Sequence, residues 1–68
     1  MNSHALIDTI RPDHPADSHI RVIAHHGDLS FVEVTSMTGA VENWSLQLDA
    51  EQARALGDSL RLAAKNMP

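Results

Sequence analysis

Apolar and polar residues alternate most cleanly over residues 40–48, where Trp44, Leu46 and Leu48 are spaced by Asn43, Ser45 and Gln47. A period of two is that of a strand with one covered face. Two further runs rich in β-branched residues precede it. Residues 19–26 contain Ile20, Val22 and Ile23, and residues 29–36 contain Phe31, Val32 and Val34. Gly27 and Asp28 between them suit a two-residue hairpin turn with glycine first, and Thr38 and Gly39 suit a second turn. The pattern predicts a three-stranded antiparallel meander.

After Leu48 the period changes to that of a helix. Asp49 is placed to cap it, Gln52 stands three residues on in the capping-box position, and Leu48 can staple onto Ala53. Ala53, Leu56, Leu60, Ala63, Ala64 and Met67 form one stripe, while Glu51, Arg54, Asp58, Arg61 and Lys65 keep to the other side. The class is therefore α+β, with a C-terminal amphipathic helix packed on one sheet face. Gly57 interrupts the helix and costs roughly 1 kcal/mol relative to alanine. Close packing on the sheet is one reason for it, and a helix–helix contact between two copies is another, which Leu62 off the main stripe supports.

Two tight hairpins set a register in which Ala24 faces Phe31, Phe31 faces Leu46, and Leu29 faces Leu48. Val22, Ala24, Leu29, Phe31, Trp44, Leu46 and Leu48 then share the core face. The same register sets Glu33 between Val22 and Trp44, a poor place for a carboxylate that calls for a bulge or an open edge. The opposite face carries Ile23, Val32, Val34 and Val41. One helix covers only one face, so this second apolar face needs its own cover.

Residues 1–17 read differently. They are polar, contain Pro12 and Pro15, and offer only Leu6, Ile7 and Ile10 for a short helix or an edge strand. Pro12 ends either element. This stretch is expected to be mobile or loosely docked, and residues 18–68 to form a single βββα domain.

Size sharpens the problem of cover. A core of 68 residues supplies little stability on its own, and with no cysteine a disulfide cannot assist. Five basic against nine acidic side chains give a net charge of -4, which repels a phosphate backbone. In outline the chain resembles the double-stranded RNA-binding domain, but Asp49, Glu51 and Gln52 stand where such a domain presents lysines. No nucleic-acid partner is expected. No apolar stretch reaches the length of a membrane span and no signal pattern opens the chain, so the expectation is a cytoplasmic protein without a membrane partner.

Histidine is the compositional excess, with His4, His14, His19, His25 and His26. Imidazole binds zinc, copper and nickel, and Asn2, Ser3 and His4 resemble the amino-terminal copper and nickel arrangement once Met1 is removed. The other spacings do not converge: His25 and His26 point to opposite faces of a strand. Protonating all five would take the formal charge from -4 to +1, giving association a possible dependence on pH. No nucleophile elbow, phosphate loop or paired metal motif is present, so neither enzyme activity nor a cofactor is expected.

The expected function is that of a small acidic interaction module, homodimeric, which binds another protein as a regulator or inhibitor. Its interface residues are Ile23, Val32, Val34, Val41, Gly57 and Leu62. The alternatives are an inhibitor of the anti-CRISPR or nucleic-acid-mimic kind, presenting its scattered carboxylates to a basic channel, and a histidine-based metal-binding protein.

Overall fold

The computed structural model describes residues 3–68. Four strands run in the order β1 (Ser3–Ile10), β2 (Ser18–His26), β3 (Phe31–Thr38) and β4 (Val41–Leu48), each antiparallel to the next, and α1 (Ala50–Lys65) follows. The α+β class and the C-terminal helix agree with the sequence pattern. The strand number does not: there are four strands, because the N-terminal stretch adds an edge strand to the predicted three. Its ladder slips between Leu6 and Asp8, leaving Ile7 as the extra residue.

Both hairpins differ from the tight turns read in the sequence. The loop from β2 to β3 takes four residues, 27–30, and sets His25 opposite Phe31 and Ala24 opposite Val32. The turn from β3 to β4 is formed by Gly39 and Ala40, with Thr38 opposite Val41. Gly39 has φ +58 and Ala40 does not share that sign, as a turn with its left-handed residue first requires. A bulge at Asn43 then moves the ladder by one more residue, so that Trp44 meets Ser36, Leu46 meets Val34 and Leu48 meets Val32.

The result turns over one strand. β2 and β4 keep Val22, Ala24, Trp44, Leu46 and Leu48 on a common face, as expected, but β3 contributes Val32 and Val34 to it instead of Phe31. A one-residue slip exchanges the faces of a strand. It also removes the conflict at Glu33, which lies on the other face between Ile23 and Gln47. Leu29, placed in the core by the tight-turn register, lies in the loop and is 81% exposed.

The helix begins as its sequence dictates. Asp49 Oδ1 accepts from the Gln52 amide at 2.7 Å, and the Asp49 amide donates to Gln52 Oε1 at 3.0 Å, closing the capping box. At the other end the Asn66 amide donates to the Ala63 carbonyl and the Met67 amide to that of Ala64, each at 3.1 Å. Among the exposed charges, Arg61 pairs with Asp58 at 3.4 Å. The helix lies over β3 and β4 and leaves the β1 and β2 half of the same face without a covering layer.

Little of the chain is therefore enclosed. Among the described residues only Ile23 and Thr35 are buried, and both point away from the helix. Each sits on a central strand, shielded by neighbours along and across the sheet.

Candidate functional site: an apolar groove and a polar face

The helix side of the sheet carries an open groove of about 190 Å³ between α1 and the sheet. Val22, Val32, Val34 and Leu48 form its floor, and Ala53, Leu56, Gly57 and Leu60 form its wall. The floor residues are half-buried, whereas Leu56 and Leu60 are 36% and 62% exposed. The helical stripe read in the sequence is not packed as expected: of its residues only Ala53 is half-buried, while Leu56, Leu60, Ala63, Ala64 and Met67 are exposed, because the helix stands off the sheet along this groove. Ala53 and Gly57 are the half-buried positions of the helix.

Gly57 has room to spare. A side-chain carbon built there meets nothing within 4 Å, and its φ is not left-handed. Neither close packing on the sheet nor backbone conformation accounts for a glycine at this point.

Three of the six predicted interface residues, Val32, Val34 and Gly57, meet in this groove. The others lie elsewhere. Ile23 is buried on the opposite face, Val41 is exposed beside the last turn, and Leu62 is exposed on α1 outside the groove lining. The grouping of Ile23 with Val32 and Val34 on one outer face is thus corrected by the slip of β3.

The opposite face sets Leu6, Ile23, Phe31 and Met37 around a group of polar residues that bond to one another. The Thr35 hydroxyl donates to Glu33 Oε2 at 2.6 Å, and Ser45 Oγ lies 3.2 Å from the same hydroxyl. His25 Nε2 lies 3.0 Å from Glu33 Oε1, and an ionised carboxylate only accepts, so the ring nitrogen is the donor. The His25 ring stacks on Phe31 at 4.4 Å and lies 5.7 Å from the tilted ring of His4. Glu33 is held below the ordinary carboxylate range, first by the Thr35 hydroxyl and then by His25 and the charge of Arg21, against the opposing effect of burial.

Sequence reading did not assemble this group. Its signal in the sequence is Glu33, whose unfavourable place in the tight-turn register calls for a bulge or an open edge; the turned-over strand relieves it instead, on an interior strand between Ile23 and Gln47. The contacts do not form a triad: both hydroxyls are reached through the carboxylate, whereas a triad needs hydroxyl and carboxylate on opposite ring nitrogens.

Among the described residues no three of His, Asp and Glu converge as metal ligands. The amino-terminal copper arrangement rests on Met1 and Asn2, which lie outside the described residues. No helix among those residues is long and apolar enough to cross a membrane. Comparisons with family models, with curated proteins and with solved structures found no match to the chain.

Proposed function

We propose that this chain is a non-enzymatic protein-interaction module whose working form is a homodimer, and which binds a further protein as a regulator or inhibitor. The observation that carries the dimer is the surface of the single copy. A folded monomer of 7.4 kDa exposes about 4,200 Å², whereas this chain exposes 5,539 Å². The excess is roughly 1,300 Å² per copy. Removing that much from each of two copies matches the size of an obligate homodimer interface, about 2,000 Å² or more in total.

The shape agrees with the area. The radius of gyration is 13.4 Å, against about 11 Å for a compact chain of this length, and the thinnest extent is 16 Å. Exposed apolar residues are concentrated where a second layer would lie: Ile10, Trp44, Leu46 and Leu60 are between 45% and 62% exposed on the helix side. The polar face is left outward as the surface offered to the further protein.

Light scattering after size exclusion tests the dimer directly. The expected mass is twice 7.4 kDa down to low micromolar concentration. A mass of one copy throughout would refute the homodimer.

A further inference from the structure

We infer that the groove beside α1 receives the α1 of a second copy, the two helices crossing at Gly57. The inference rests on the homodimer proposed above and specifies its contact. Three observations lead to it.

The first is self-complementarity. A two-fold interface presents the same patch from both copies, so it needs a projection and a recess side by side. Leu56 and Leu60 project from the helix flank, partly exposed, directly beside a recess floored by Val22 and Val34. Two-fold rotation sets the leucines of each copy against the recess of the other.

The second is Gly57. Glycine is the least favourable residue for a helix interior apart from proline. Here its own chain supplies no reason for it, since the space over its Cα is open and its backbone is helical. A partner helix lying across that point does supply one, because absence of a side chain lets two backbones approach closely. Ala53, one turn earlier and also lining the groove, extends the same approach.

The third is the character of the competing surfaces. On the face away from the helix His25, Glu33, Thr35 and Ser45 already satisfy one another, and of its apolar residues Ile23, Phe31 and Met37 are buried or half-buried in the single copy, leaving Leu6 as its exposed one. The β1 edge is interrupted by its bulge and carries Asp8, features that discourage strand pairing between copies. The groove lacks both protections.

A single introduced thiol reads the geometry, because the chain contains no cysteine. A disulfide forms only where two Cα atoms lie within about 4.4 to 6.8 Å. Gly57→Cys fits the open space and should cross-link readily into a covalent dimer on mild oxidation at low micromolar concentration. Val41→Cys and Leu62→Cys should stay uncrosslinked under the same conditions. Gly57→Leu should raise the dimer dissociation constant at least tenfold while the circular dichroism remains that of the folded chain.

The outcomes separate the two proposals. A wild-type dimer in which Gly57→Cys cross-links no faster than Val41→Cys, or in which Gly57→Leu dimerises normally, overturns the helix crossing and leaves the homodimer standing. A wild-type monomer overturns both.

Discussion

Thr35 and Glu33, two residues apart on β3, are joined by a hydroxyl-to-carboxylate hydrogen bond of 2.6 Å on the face away from the helix. Thr35 is only 2% exposed although no layer covers that face. Its lateral neighbours Arg21 and Ser45 and its strand neighbours Glu33 and Met37 enclose it. Thr35→Val keeps the shape but leaves the carboxylate without its strongest partner. The expected loss is about 1 to 3 kcal/mol, measured by denaturant unfolding.

The same bond fixes a pH dependence. Glu33 titrates below its ordinary value when folded, owing first to Thr35 and then to His25, so its folded form binds fewer protons than the unfolded chain as the pH falls. Its contribution is complete above the unfolded carboxylate value of about 4.3 and is lost as the pH drops through the lower folded value. The part of the stability gap between wild type and Glu33→Gln that this carboxylate's ionisation supplies should be full above about pH 4.3 and close in acid. A gap that widened in acid would contradict the assignment.

The two glycines outside the β2–β3 loop have opposite meanings. Gly39 needs its left-handed φ of +58, with no neighbour within 4 Å of an added carbon. Gly39→Ala should therefore destabilise by about 1 to 2 kcal/mol through backbone strain alone. Gly39→Asn should recover part of the loss, because asparagine tolerates that conformation better. Thermal unfolding of the pair measures the difference.

Asp49 closes a reciprocal pair with Gln52 at the start of α1. Asp49→Ala should cost about 1 kcal/mol, and Asp49→Ser considerably less, since serine caps nearly as well. The helical signal by circular dichroism reports both.

The cost of Leu46→Ala depends on assembly. In the single copy Leu46 is 45% exposed, so truncation should cost less than the roughly 2 to 5 kcal/mol of an enclosed leucine. In the homodimer proposed above the loss should be larger, and unfolding that depends on protein concentration would show the difference.

Local chemistry was legible in the chain. Asp49 and Gln52 define the helix start by bonds spanning three residues, the helical stripe follows from side chains three and four apart, and the alternation in β4 assigns Trp44, Leu46 and Leu48 to one side. These depend on neighbours in sequence. β1 was less clear, because Leu6, Ile7 and Ile10 fit a helix or a strand equally, and only pairing with β2 decides between them.

The side of β3 belongs to tertiary structure. Phe31 on one parity and Val32 with Val34 on the other make both faces apolar, so the strand's own pattern is satisfied either way up. Its orientation is set by what flanks it: a four-residue loop before it, a turn one residue later than the sequence indicates, and the extra residue Asn43 across from it. That register places Val32 and Val34 in the groove and brings Glu33 to Thr35 and His25 on the other face. The sequence by itself determined the elements and their caps, because those rest on local bonds. The groove and the polar face were decided only by strand register, because a side chain's face depends on which residue it meets across the sheet.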